Sequence, residues 1–200
     1  MTEGVSTPTR RAEILAAAAE LFARSGYHGV SIGDLGRAVG LTGPALYRHF
    51  RGKDAVLAEM LLDISHRLLD EGTRRVASAP GPAEAMDALV AWHLEFSLGN
   101  SALIIVHERE LDNVPEPARH EIRRAQRAYA EIWVAVLTRL HPGVPDGRAR
   151  AAVHAVFGLL NSTPHSATGI DGEALAGLLH AMALRALESV SSGRVESAGG

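Results

Sequence analysis

The side chains in this sequence that could do chemistry are concentrated between Ser31 and Lys53. Leu46 and Phe50 stand four residues apart, so on a helix they share an inward face, while Gly43, Pro44, Tyr47 and Arg48 point elsewhere and Ala45 beside them offers a methyl group. An outer surface that mixes small, aromatic and cationic groups suits a nucleic-acid groove, where base edges are met by shape, methyl contact and a guanidinium fork. Around it stand donors suited to phosphates: the hydroxyls of Ser31, Thr42 and Tyr47, the His49 imidazole and the Lys53 ammonium. Helix N-termini at residues 32 and 43 would add backbone N–H groups and a positive dipole end. The candidate DNA contacts are therefore Ser31, Thr42, Gly43, Pro44, Ala45, Tyr47, Arg48, His49 and Lys53.

Helices must hold these groups in place. Apolar residues recur with the helical period nearly throughout, and no stretch alternates as a half-buried strand would, which predicts an all-α fold of about nine helices. The first runs from about Arg10 to Arg24, with Ile14, Ala18, Leu21 and Phe22 on one stripe, and stops at Ser25-Gly26. Ser31 and Asp34 match a capping box opening a short helix that ends at Val39-Gly40. Thr42 caps the next, Gly43 to Phe50, with Pro44 in its first turn. The two are joined by Val39-Gly40-Leu41-Thr42, the proportions of a helix-turn-helix. A longer helix from Asp54 to Ala77 turns Leu57, Met60, Leu61, Ile64 and Leu68 inward and breaks at Ala79-Pro80-Gly81-Pro82. Further helices are expected over 83–98, 101–111, 117–140, 148–162 and 172–190. This divides the chain into a head over 1–53, a body over 54–190 and a small, polar tail over 191–200 expected to be disordered.

Composition narrows the functions open to such a fold. With 46% apolar residues the chain can fill a real core, and without cysteine it has no disulfide, thiolate nucleophile or zinc-thiolate site. No apolar run approaches the ~20 residues that span a bilayer, and the N-terminus lacks the apolar core of an export signal, so a cytoplasmic protein without membrane contact is expected. The net charge of -3 argues against indiscriminate coating of nucleic acid. Residues 1–55 nevertheless carry seven Arg or Lys against five Asp or Glu, while the rest carries thirteen against eighteen. A mildly basic head on an acidic body fits a site-selective binder.

Ile14-Leu15 through Leu21-Phe22, Gly26-Tyr27, Ser31-Ile32, Asp34-Leu35, Val39-Gly40-Leu41-Thr42, Leu46-Tyr47-Arg48-His49-Phe50 and Lys53 resemble, in order and spacing, the reading head of the TetR/AcrR family of transcriptional regulators. The resemblance covers about residues 10–57. It implies a ligand-responsive regulator, usually a repressor, that binds a near-palindromic operator on double-stranded DNA as a homodimer. It also implies that the fifth to seventh helices and part of the eighth enclose an effector, while the last two helices join the subunits. Gly33 departs from the pattern where some members carry a base-reading side chain, which shifts readout toward the helix after Thr42. The C-terminal half is similar in plan to actinobacterial regulators of lipid metabolism that bind acyl-CoA or steroid thioesters, and planar drug-like effectors fit equally.

In that frame Trp92, Phe96, His107, Trp133, Phe157 and Asn161 are the candidate effector contacts: aromatic residues on interior stripes, with an imidazole and an amide as polar handles. The last two helices offer small and branched apolar residues, Ala151, Ala155, Leu159, Leu175, Leu178, Leu179, Met182 and Ala186, with Leu175, Leu178, Leu179 and Met182 as the candidate subunit contacts. Catalysis is not expected. Gly29-Val30-Ser31-Ile32-Gly33 spells a nucleophile elbow, but that elbow needs a preceding strand, and Ser31 explains itself as an N-cap. His107-Glu108-Arg109-Glu110 lacks the second histidine of a zinc-protease helix. His93, His107, His154 and His165 include no pair spaced three or four apart, so neither a metal nor another cofactor is expected. Arg48 is the longest cationic side chain on the outer face of its helix. If it reads guanine, Arg48→Ala should cost ~1–3 kcal/mol and relax preference at one base position. Titration against single-base operator variants checks this, and equal losses on all sequences would reassign Arg48 to a phosphate.

Overall fold

The computed structural model describes residues 9–166 and 169–191; beyond Ser191 the tail expected to be disordered lies outside the described residues. The short N-terminal helices begin and end where the sequence supplies a cap. Thr9 Oγ1 accepts the Ala12 N–H at 3.2 Å and opens α1 (Arg10–Ser25), and Gly26, at φ +70°, closes it by donating to Phe22 O. Ser31 and Asp34 form the reciprocal capping box of α2 (Ile32–Ala38), with N–H donations of 3.2 Å to Ser31 Oγ and 2.8 Å to Asp34 Oδ2. Hydrogen bonds from the Ser31 hydroxyl and amide, then Arg37, hold the Asp34 carboxyl below its ordinary pKa. Thr42 Oγ1 accepts from Ala45 N at 3.3 Å and starts α3 (Gly43–Leu46), with Pro44 in the first turn.

Helix α3 is shorter than the expected span of Gly43 to Phe50. Beyond Leu46 the backbone tightens: Arg48 N donates to Ala45 O at 3.3 Å and His49 N to Leu46 O at 2.9 Å, so the chain keeps a helical sense to Phe50 through turns. Then come α4 (Lys53–Ser78), α5 (Pro82–Gly99) and α6 (Ser101–Glu110), a 3-10 turn at Leu111–Asn113, α7 (Ala118–Leu140) and α8 (Asp146–Leu160). The order ends with α9 (Thr163–Ser166), α10 (Gly172–Glu188) and a 3-10 turn at Ser189–Ser191. The described residues thus hold ten α-helices and no strand. The additional one, α9, lies in a stretch expected to be loop, where Ser162 O accepts from both His165 and Ser166 and buried Thr163 donates to Ser97 O. No single described helix is long and apolar enough to cross a membrane.

The chain forms two compact units. One comprises the chain up to Ile64 together with Ala102–Ile122; the other comprises Ser65–Ser101 and the chain from Arg123 onward. Residues 54–64 and 102–122 thus fall in the same compact unit as α1–α3. In the first unit Ile14, Ala18, Phe22, Leu35, Leu46, Phe50, Val56, Leu57 and Met60 are buried. Gly36 permits the tight turn, because a Cβ there would stand 2.8 Å from Leu41 O.

In the second unit α10 packs against α5 and α8, and the core gathers Leu89, Val90, Trp133, Leu137, Val153, Leu160, Leu179 and Leu187. Arg75 joins α4 to α5, bonding Glu71 at 2.7 Å and Glu95 at 3.4 Å with its guanidinium 5.2 Å from the centre of the Trp92 ring. Arg74 and Arg75 lower the Glu71 pKa to about 2. A depressed carboxylate contributes stability above its unfolded pKa and loses it as pH falls through the folded one, so this pair persists far into acid.

Gly72 sets two opposed effects against each other within α4. Alanine there would gain ~1 kcal/mol of helix propensity, but its Cβ would stand 2.6 Å from Tyr129 Cε2, on a ring stacked parallel to Phe157 at 5.7 Å. Overpacking a stacked, buried ring costs ~1–3 kcal/mol. Gly72→Ala is therefore expected to destabilise on balance, lowering the thermal midpoint by a few degrees, at ~2–4 °C per kcal/mol. A raised midpoint in calorimetry would mean that Tyr129 moves aside freely.

Candidate nucleic-acid interface and aromatic cluster

Helix α3 presents the outer face that its sequence pattern requires. Leu46 and Phe50 are buried, while Thr42, Pro44 and Arg48 are exposed and Tyr47 is 55% exposed, among the few large apolar side chains facing solvent. Gly43 and His49 are half-buried, and Ser31 is exposed at the start of α2 with its hydroxyl in the capping box. Ala45 is a correction to the candidate set. Its methyl is buried on the inner side beside Leu46, so it packs the head and offers no groove contact.

Two arginines at the start of α1 hold this face from behind. Arg10 donates to the Val39 carbonyl at the end of α2, and Arg11 donates to the His49 carbonyl at 2.6 Å, pairs with Glu59 of α4 and lies 4.2 Å from the centre of the Phe50 ring. Hydrogen bonding and charge from Glu59 raise the Arg11 pKa further. Lys53 also supports the loop behind this face. Its ammonium donates inward to Tyr27 O at 2.9 Å and Val30 O at 3.0 Å and sits 4.3 Å from the Tyr27 ring centre, so two of its three N–H groups serve the loop between α1 and α2. The same loop is met by α6: Glu110 Oε1 accepts the Tyr27 N–H at 3.1 Å, and Asn113 Oδ1 lies 3.1 Å from His28 Nε2. Burial, then the charges of Asp54 and Glu110, raise the pKa of the Tyr27 phenol, which stays neutral.

Five of the six candidate effector residues fall in the second unit: Trp92 and Phe96 on α5, Trp133 on α7, and Phe157 and Asn161 at the end of α8. Phe157 is the hub, stacked on His93 at 5.1 Å and on Tyr129 at 5.7 Å, with Trp133 edge-on at 5.0 Å. His93 Nε2 lies 3.0 Å from Asn161 Oδ1 and His93 Nδ1 lies 3.4 Å from the Tyr129 hydroxyl, so this histidine links α5 to α7 and to the end of α8. Burial drives the Tyr129 pKa well above its ordinary value, against weaker opposing effects of Trp133 and Arg75. Trp92 Nε1 and Trp133 Nε1 are buried without a hydrogen-bond acceptor. Arg67 lies 5.9 Å from the Phe96 ring centre. His107 is on α6 in the first unit, where burial lowers its pKa. An open cleft of 520 Å³ lies elsewhere in the second unit, lined by Met86, Leu140, Leu184 and Leu187 with Glu84, Asp87 and Glu188 at its edge.

The candidate subunit contacts divide. Leu175 and Leu179 are buried in the chain's own core, which corrects their assignment, because on α10 they face α5 and α8. Leu178 and Met182, 50% and 46% exposed, lie on the opposite face with Ala174, Gly177, Ala181 and Ala186. On α8 Ala151, Ala155 and Gly158 are likewise exposed, and a Cβ at Gly158 or Gly177 would meet nothing within 4 Å.

Sequence reasoning missed His93 and Tyr129 as members of the cluster, although Tyr129 precedes Trp133 by one helical turn and His93 adjoins Trp92. It missed Arg10, Arg11, Glu59 and Glu110 because their partners are distant in sequence and mostly backbone carbonyls or amides, which no spacing rule reveals.

The family profile described as "Bacterial regulatory proteins, tetR family" matches residues 14–60, and that of the "Tetracyclin repressor-like, C-terminal domain" matches residues 79–187. The HTH-type transcriptional repressor KstR2 of Rhodococcus jostii is 27% identical over 145 residues, covering 72% of this chain and 70% of that protein. A TetR-family regulator from Bordetella parapertussis superposes with a TM-score of 0.79 at 25% identity, covering 97% of this chain and all of the other. The regulator FadR of Bacillus subtilis, solved in complex with stearoyl-CoA, shares the fold, with a TM-score of 0.71 at 20% identity over 90% of this chain and 97% of that one. A head built around an outward Tyr47 and Arg48, matched across both halves by these profiles, places the chain in the TetR family: it is a ligand-responsive, DNA-binding transcriptional regulator and not an enzyme.

Proposed function

We propose that the chain is a homodimeric cytoplasmic repressor that reads a two-fold symmetric operator with one α2–α3 head per half-site. Its release would follow entry of an amphipathic effector into the aromatic cluster around Phe157. The observation that carries the DNA-reading half is the solvent-facing set Pro44, Tyr47 and Arg48 on a helix whose inner side is buried and whose far end is held by Arg11. Ser31, Thr42, Gly43 and His49 flank that set as phosphate or groove contacts, and Lys53 orients the loop behind it. One recognition helix reads too few bases to find a genomic site alone. A dimer doubles the contacted sequence and spaces the half-sites by about one helical turn, ~34–36 Å, or a multiple of it.

The effector reading is supported by the chemistry of the cluster. Stacked rings favour a flat or long apolar body, and the unaccepted N–H groups of Trp92 and Trp133 favour a ligand bearing a carbonyl or other acceptor oxygen. Arg67, over Phe96, suits an anionic end group. These features rank an acyl-CoA or steroid thioester ahead of a neutral planar drug, in keeping with the stearoyl-CoA held by FadR. The open cleft on the same unit, edged by three carboxylates, is a poor seat for such an anion.

Trp92 and Trp133 are the chain's only tryptophans and both lie in the cluster, so intrinsic fluorescence reports on it without a label. Stearoyl-CoA is expected to quench that fluorescence and to weaken operator binding ~5- to 150-fold, the range of ordinary allosteric coupling. His93→Leu should blunt both responses while leaving effector-free operator affinity unchanged. Release of operator without any change in fluorescence would place the effector elsewhere.

The exposed face of α10 allows the subunit contact to be broken in two ways. Gly177→Leu adds bulk in open space and should leave the monomer folded while wedging a helix-to-helix interface apart; Leu178→Asp should do so by burying a charge. Both are expected to sediment as monomers and to lose tight operator binding. A dimer surviving both substitutions would move the interface off α10.

A further inference from the structure

Both backbone groups of Tyr27, in the loop between α1 and α2, are held by charged side chains. Its N–H donates to Glu110 Oε1 at 3.1 Å, and its carbonyl accepts from Lys53 Nζ at 2.9 Å. Glu110, the last residue of α6, is only 8% exposed, and its second oxygen accepts from Asn113 Nδ2 at 2.7 Å. Asn113 Oδ1 in turn lies 3.1 Å from His28 Nε2, so two successive residues of the loop are tied to one short stretch at the end of α6. Lys53 adds Val30 O at 3.0 Å and the face of the Tyr27 ring at 4.3 Å. Gly26 brings the loop close to the carboxylate, since a Cβ there would stand 3.7 Å from Glu110 Oε1.

The chemistry of this grip is directional. A carboxylate only accepts and an ammonium only donates, so the two partners of Tyr27 cannot exchange places and the loop can be seated one way round. Burying a carboxylate carries a desolvation cost that an apolar side chain would avoid, which makes Glu110 a weak device for stability alone. Its hydrogen bonds are charge-assisted, shorter-ranged and more orienting than an apolar contact.

We infer that Glu110 is a positioning residue for operator binding: through Tyr27, and opposed by Lys53, it sets the angle at which the reading head is carried on α6 and hence the spacing of the two heads in the dimer. This rests on the homodimeric reading given above. A loosened grip would leave each head folded and able to touch DNA, while the pair would no longer favour one half-site separation.

The test uses the duplex that the full-length wild-type protein selects from a random DNA library, and the same duplex with one base pair inserted at its centre. The wild type is expected to prefer the uninterrupted duplex by at least about tenfold, the scale of a single well-read defect in a site. In Glu110→Ala that preference should fall below about threefold, with non-specific binding and its salt dependence unchanged. Glu110→Gln, whose Oε1 still accepts the Tyr27 N–H while Asn113 turns its amide so that Oδ1 accepts from the new Nε2, should restore most of it. Glu110→Ala retaining the wild-type preference while binding both duplexes more weakly and melting earlier would reduce Glu110 to a fold-stabilising residue and overturn the inference. If Glu110→Ala does not fold, Asn113→Ala and Lys53→Met make the same comparison, and an unchanged preference in both overturns it equally. A wild type that selects no two-fold duplex fails the homodimeric reading itself, a result visible before any variant is made.

Discussion

A four-residue helix has no stability of its own, and the candidate DNA-reading face of this protein is built on one. Everything that orders α3 comes from outside it. Thr42 satisfies one of its free N–H groups, Leu46 and Phe50 sink its inner side, and the close pass of Gly36 under Leu41 fixes the angle to α2. Arg11 then takes the His49 carbonyl beyond its end and ties it to Glu59 on α4. The outward side chains can be exposed because none of them is needed for the fold. Tyr47 and Arg48 are free to meet a ligand, and the cost of holding them in place falls on residues that never touch it.

The parts of this arrangement that were legible in the sequence are those governed by local spacing. Capping at Ser31 and Thr42, the stops at Gly26 and Gly40, the burial of Leu46 and Phe50 and the inward stripe of α4 all follow from period and cap chemistry over a few residues. What was not legible depends on contacts between distant segments. Lys53 looks like a phosphate contact because it follows the recognition helix, and only the fold shows that Tyr27 O and Val30 O already hold its ammonium. Leu175 and Leu178 are equivalent by composition; which of them faces the core depends on where α5 and α8 lie against α10. The grouping of residues 102–122 with the head has no local signature, because nothing in Glu110 announces that its acceptor role is filled by an amide more than eighty residues earlier.

The aromatic cluster proposed as the effector site is also part of the chain's core. Phe157 touches His93, Tyr129 and Trp133 through ring faces and edges, and interactions of this kind add only ~0.5–1.5 kcal/mol per pair beyond area burial. A flat or extended apolar ligand could replace one ring's contacts with its own at little net cost in packing. The polar atoms make such a replacement selective. His93 and Asn161 satisfy each other at 3.0 Å, whereas the indole N–H groups of Trp92 and Trp133 are left without acceptors, so an entering oxygen gains a partner that the empty cluster does not supply.

Helix α4 contributes to both compact units, its residues up to Ile64 to one and those from Ser65 to the other. Arg75 near one end lies over Trp92 beside the cluster, and Glu59 and Lys53 near the other bind Arg11 and the Tyr27 loop. A continuous helix transmits a small displacement without absorbing it, provided that its two ends are held by contacts with few alternative geometries. Stacked rings at one end and charge-assisted hydrogen bonds at the other meet that condition better than aliphatic packing would, since both lose energy steeply when tilted. A shift that weakens one such bond by ~1.4 kcal/mol changes an equilibrium about tenfold, which lies within the range of ordinary allosteric coupling. On the effector reading proposed above, a cluster that can be repacked at low cost and a head whose pose depends on a few directional contacts would let a ligand act through a small change.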